Sequence, residues 1–197
     1  MSLSYNGWPI IPLPTFPAVP RSVEYQANDI VGVSTNPFTA EQQVMSWGGA
    51  AWLEISVSYQ AMTYAQAQPW IALLMGLQGT ANLIQLGDPL QKPLNPLAMG
   101  GLLASGAGQT GNVLVTSGGG NQSVGDWIQI GWHLHKITAI AGPSLTIWPP
   151  IRESPTDGQG IAITNTQGVW RLKANSRKWA VAVNKLYSIS FELREAL

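Results

Sequence analysis

The chain has 197 residues, ten basic and ten acidic side chains, a formal net charge of zero and no cysteine. Apolar residues make up 45% and charged residues only 10%, which excludes charge-driven disorder for most of the chain. Zero net charge gives no bulk attraction to nucleic acid or acidic membranes, and the missing cysteine rules out disulfides, thiolate metal centres and thiol nucleophiles. Nine tryptophans among so few charges fit a surface largely covered by other proteins, because interfaces are depleted in charge and enriched in aromatics. No apolar run approaches the ~20 residues of a membrane span. The first residues lack the basic start and apolar stretch of a signal peptide, so the expectation is a soluble chain made in a cytoplasm.

Residues 1–22 carry Pro9, Pro12, Pro14, Pro17 and Pro20, a spacing that resists helix and predicts an extended arm. Trp8, Ile10, Ile11, Leu13, Phe16 and Val19 are too apolar for a solvated tail, so the arm should pack on its own domain or on a neighbour. Residues 23–62 read as strands. Val23, Tyr25 and Ala27 alternate in one run, and Leu53, Ile55, Val57 and Tyr59 alternate with Glu54, Ser56 and Ser58 in another. Asn36-Pro37 and Gly48-Gly49 punctuate this segment as turns.

Residues 63–78 predict the one clear helix, with Thr63 as N-cap. Trp70, Leu73, Leu74 and Leu77 form its apolar stripe. Pro69 suggests that the regular part begins only near Gln68, and Gly79 is the expected stop. Leu83, Ile84 and Leu86 then predict a short strand ending at Gly87-Asp88-Pro89. Proline and glycine crowd residues 89–112, a linker. Beyond it, Val113–Thr116, Trp127–Ile130, His133–Ile140, Leu145–Trp148 and Ile161–Thr164 predict short strands of a small barrel or sandwich. Residues 169–174 and 179–193 predict two more strands, with Tyr187, Ile189, Phe191 and Leu193 alternating in the second.

The predicted fold is therefore mainly β. A β-sandwich is expected from residues 23–90 and 166–197, flanked by one helix. The arm 1–22 precedes it, and the linker and an inserted small β-barrel module occupy residues 91–165.

Catalytic signals are weak. Gly118-Gly119-Gly120 is followed by neither Lys-Ser/Thr nor a helix start, so it reads as a turn and not a phosphate loop. His133 and His135 lie two apart on a predicted strand and face one side. No third ligand has a recognisable spacing, with Asp126 and Glu153 the nearest carboxylates, and packing or a backbone hydrogen bond is the expectation. No Gly-x-Ser-x-Gly elbow supports a serine triad. Neither enzyme activity nor a metal or cofactor is expected. Trp127, Trp132 and Trp148 in the inserted module suit core packing, a protein interface or stacking on sugar rings. Arg171, Lys173, Arg177, Lys178 and Lys185 fall in a stretch without acids, which reads first as a solvated hairpin and second as a contact for an acidic neighbour or nucleic acid.

Three stretches carry a family resemblance. The first runs from Met62 through Trp70, Leu74, Leu77-Gln-Gly79 and Asn82-Leu83 to Leu86-Gly-Asp-Pro89. The second is Gly125-Asp126-Trp-Ile128-Gln-Ile130, His135-Lys-Ile137 and Leu145-Thr-Ile147-Trp-Pro149-Pro150-Ile151-Arg152. The third is Gly168-Val-Trp170-Arg-Leu172, leading to the C-terminal strand. In this order they resemble the distal-tail family of long-tailed, siphovirus-like bacteriophages, the ring proteins that join the tail tube to the tip. The resemblance implies a tail-tube-like β-sandwich and a virion protein without catalysis or cofactor. It implies a homo-oligomeric ring, typically of six copies, around a channel that DNA crosses without specific binding. Its partners would be the tail tube, tape-measure and hub proteins, with no membrane. The alternative reading is a carbohydrate-binding, host-recognition module of a phage tail acting through the tryptophan-rich insert.

Overall fold

A computed structural model describes residues 3–16, 20–95 and 101–197. Pro17 and Val19 of the predicted arm and residues 96–100 of the predicted linker lie outside them. In chain order the strands are β1 (Ser4–Tyr5), β2 (Trp8–Ile11), β3 (Ser22–Asn28), β4 (Val31–Thr35), β5 (Gln42–Ser46), β6 (Trp52–Met62), β7 (Leu83–Leu86) and β8 (Leu103–Ala104). They continue as β9 (Gly111–Ser117), β10 (Trp127–Ile130), β11 (His133–Ala141), β12 (Ser144–Ile151), β13 (Gly168–Leu172), β14 (Trp179–Val181) and β15 (Tyr187–Glu195). Helix α1 is Tyr64–Gly76. The protein is mainly β, and its sheets curl into half-barrels.

The larger sheet runs β1-β2-β7-β13-β15-β6-β3, with β14 on the same edge of β15 as β13. Its period-two pattern is the one expected: Leu53, Ile55, Val57 and Tyr59 of β6 point inward to α1, and Ser56 and Ser58 point out. The arm lies at one edge, where β2 pairs parallel to β7, while β3 lies at the other.

Helix α1 begins earlier than the proline suggested. Thr63 N donates to Gln66 Oε1 at 2.8 Å, and this capping box starts the helix at Tyr64. Pro69 is thus the sixth helical residue, within the helix and not at its start. The stop also differs: Gln78 already takes the left-handed conformation (φ 50°) before Gly79 (φ 73°). A Cβ on Gly79 would fall 2.6 Å from Asn175 Oδ1, so the glycine admits the 173–178 loop against the helix end. Trp70, Leu73, Leu74 and Leu77 are all buried. The Trp70 ring lies 4.1 Å from that of Tyr59 and 6.4 Å from that of Phe191.

The smaller sheet runs β10-β11-β12-β9-β8 around a core that includes Leu114, Ile128, Ile137 and Ile147. The predicted strand Ile161–Thr164 does not form. Ile161 N donates to Leu102 O on one side, while Ala162 exchanges bonds with Gln129 on the other, so this segment spans the two open edges of the sheet with single bridges. The predicted 179–193 strand is instead a hairpin. Ala182 N donates to Leu186 O and Lys185 takes φ 62°, which folds β14 back onto β15. The strand predicted at 169–174 ends at Leu172.

Candidate functional site

The ladder of β3 and β6 ends at Asn28 and Trp52. Beyond it the chain continues outward as a separate two-stranded hairpin, β4 and β5, paired from Val31↔Ser46 to Thr35↔Gln42. Directly paired residues share a face, so Val31, Val33 and Val44 lie together on one side. Met45 and Trp47 lie on the other, with the Trp47 ring over Gly32. Val33 is 58% exposed, Val44 61% and the tip residue Phe38 94%. An isolated pair of strands is marginal in water. Between residues 29 and 47 the only charges are Asp29 and Glu41, so the hairpin lacks the lysines that usually protect an open edge. A second apolar end lies at the far end of β6, where Met62 pairs with Tyr187. There the β14–β15 hairpin exposes Val181 and Val183, beside an exposed Tyr64. Between residues 178 and 191 its charges are Lys178 and Lys185. The two ends are separated by the eleven residues of β6, about 37 Å, and carry opposite charge.

The root of the first hairpin is fixed by a buried polar cluster. Glu195 accepts from Arg152 Nε at Oε1 (3.1 Å) and from Nη2 at Oε2 (2.9 Å), and His133 Nδ1 lies 3.2 Å from the same Oε1. Arg152 also donates to the carbonyls of Gly49 and Ala51, where the hairpin rejoins β6. On the opposite strand of the root, Asp29 accepts from Trp148 Nε1 at 2.9 Å. The Tyr5 hydroxyl, from the arm, lies 3.0 Å from His133 Nε2. Burial alone would raise the Glu195 carboxyl, but His133 and Arg152 hold it down to about 2. Burial, and then the neighbouring Glu153, push Tyr5 up to about 12. The order Tyr5, His133, Glu195 has the outline of a proton relay, yet the tyrosine is neutral at ordinary pH and buried. The arrangement is one that clamps arm, insert and C-terminal strand together. His135 donates from Nδ1 to the Pro149 carbonyl at 2.8 Å, and burial pushes it down to about 4, so it is uncharged at neutral pH. Among the described residues, no three His, Cys, Asp or Glu side chains converge as a metal site.

The tryptophans of the insert turn toward the rest of the chain. Trp127 lies against Tyr25 (5.4 Å) with the Lys136 ammonium over its ring, Trp132 lies against Tyr5 (6.1 Å), and Trp148 packs on the larger core. The exposed tryptophans are Trp8, Trp47 and Trp179. Three of the five basic residues singled out in the sequence have intramolecular partners. Arg171 donates to the carbonyls of Thr80 and Ala81 and lies over Trp8. Lys173 pairs with Glu54 at 2.8 Å and Glu192 at 3.5 Å. Arg177 donates to Leu74 O and Met75 O, the last-turn carbonyls of α1, where a cation is favoured. Lys178 and Lys185 are exposed.

Sequence reasoning missed the clamp, and it read the turn at Asn36-Pro37 but not that the two strands around it project from the sheet. The clamp's contacting pairs are 43 to 128 residues apart in the chain and no local pattern links them. The hairpin did leave a signal, a β-prone run with no basic residue.

No protein-family model matches this chain, and no curated protein matches it either.

Proposed function

We propose that the chain is a structural subunit that assembles head to tail with copies of itself into a closed ring. The observation that carries this reading is the pair of unlike apolar ends. One is an acidic hairpin (Val33, Phe38, Val44) and the other a basic one (Val181, Val183, Lys178, Lys185), at opposite ends of the same strand. A closed ring needs two different, complementary patches on each subunit. A two-fold dimer would need only one. The resemblance to distal-tail proteins supports the same reading. On it, the ring is a phage tail-tip component, typically of six copies, placed between tail tube, tape-measure and hub proteins, with DNA passing through.

Two variants test the interface logic. Val33→Asp with Val44→Asp spoils one end, and Val181→Asp with Val183→Asp spoils the other. Each alone should stop assembly of the purified chain, as read by sedimentation velocity. Mixed together, they still hold one good end of each kind and should form a dimer that grows no further. A mixture that stays monomeric, or a wild-type chain that never associates, contradicts the proposal.

A further inference from the structure

All five residues of β5 and four of the five in β4 are exposed, so the direction of the projecting hairpin is set at its root. The root is not a continuous ladder. Two residues, Asp29 and Ile30, join β3 to β4, whereas five, Trp47 to Ala51, join β5 to β6. The two connections meet in a backbone bond from Trp47 N to Ile30 O at 3.2 Å. A ladder broken by unequal connections does not pass the direction of the sheet on to the hairpin.

Two side chains of the insert span the break, one in β12 and one just beyond it. Trp148 Nε1 donates to Asp29 Oδ1 at 2.9 Å and holds the outgoing connection. Arg152 donates to Gly49 O and Ala51 O and holds the returning one. Both pins are anchored in the body of the subunit. Trp148 packs on the larger core, and Arg152 is fixed by two bonds to Glu195. Each pin also has one charged partner, which makes it stronger than a neutral hydrogen bond. The lever they hold is long. Five paired positions span about 17 Å, so a tilt of about 15° moves the far end by about 4 Å, close to one strand spacing.

We propose that the insert aims the hairpin, with Trp148 and Arg152 as positioning residues that fix the angle at which it leaves the subunit. The consequence for assembly rests on the ring reading. A head-to-tail contact closes only if it turns each copy by a whole fraction of a circle, and otherwise it grows an open helix. The pins therefore govern closure rather than association itself.

The chain has no cysteine of its own, so spin labels can be placed at Thr39→Cys on the hairpin tip and Ala72→Cys on the exposed face of α1. Distances are read by double electron–electron resonance with Val181→Asp and Val183→Asp present, which leave the hairpin untouched and keep the chain from assembling. The parent and Asp29→Asn, which retains the acceptor, should give one narrow distance. Asp29→Ala and Arg152→Lys should each widen the distribution at least twofold. Asp29 lies at the surface, so its substitution leaves the core intact. In the unlabelled chain with its native valines, Asp29→Ala and Asp29→Asn share the loss of charge and differ in the acceptor. The alanine variant should give open or unequal assemblies in negative-stain images where the asparagine variant gives closed rings. The proposal is overturned if Asp29→Ala is no wider than Asp29→Asn, if Arg152→Lys is no wider than the parent, or if both Asp29 variants form the same rings. A parent chain that does not assemble overturns the ring reading alone, and the distance widths still decide the pins.

Discussion

Glu195→Gln isolates the clamp at the hairpin root. The substitution keeps the shape of the side chain and its ability to accept one hydrogen bond, but it removes the only negative charge facing Arg152 and His133 at 2.9 to 3.2 Å. A carboxyl held at about 2 in place of its ordinary 4.5 is stabilised in its charged form by about 3 kcal/mol. Removing one partner of a buried ion pair costs about 3–5 kcal/mol in measured cases, so the two routes agree on ~3 kcal/mol at pH 7. The pH dependence gives the second half of the test. A carboxyl with a depressed folded-state pKa contributes stability that is complete above about 4.5 and is lost as pH falls toward 2. Glutamine cannot titrate, so the gap between wild type and variant should close over that window. His135, held down to about 4 from 6.5, also costs stability as pH falls through that interval, because the unfolded chain takes up its proton first. Glu195 itself raises His135, so that loss is slightly larger in the variant and works against the closing of the gap until it is complete near pH 4. Urea denaturation at pH 7, 5 and 3 measures the gap. A variant equal to wild type at pH 7, or a gap that does not narrow on acidification, would refute the reasoning.

Other expectations follow from the same contacts. Leu74→Ala empties a fully buried position between α1 and β6 and should cost about 2–5 kcal/mol in chemical denaturation. An unchanged midpoint would mean that the helix stripe is not core. Gly79→Ala places a Cβ 2.6 Å from Asn175 Oδ1 in a left-handed turn and should lower the melting temperature, whereas Gly76→Ala, which meets nothing, should not. The assembled protein should retain duplex DNA only weakly, since Arg171, Lys173 and Arg177 are engaged within the subunit. Strong, salt-sensitive retention that Lys178→Glu abolishes would instead place this segment on the DNA path.

Local patterns carried much of the fold. The alternation in β6 and β15, the Thr63 cap and the Trp70 stripe each depend on neighbours within a few residues, and they were legible for that reason. The break inside 179–193 was not. Its alternation continues through Val181 and Val183, and only the left-handed Lys185 and the bond from Ala182 to Leu186 reveal the turn. The Ile161–Thr164 run has the composition of a strand, but its hydrogen bonds are divided between two partners, which no single-segment pattern encodes.

The central claim is that several copies surround one axis through unlike ends. Its most direct test is an electron-microscopic image of particles assembled from the purified chain carrying a label at Thr39, on the tip of the projecting hairpin. The account predicts several labels arranged around the particle axis. A single label per particle would contradict it.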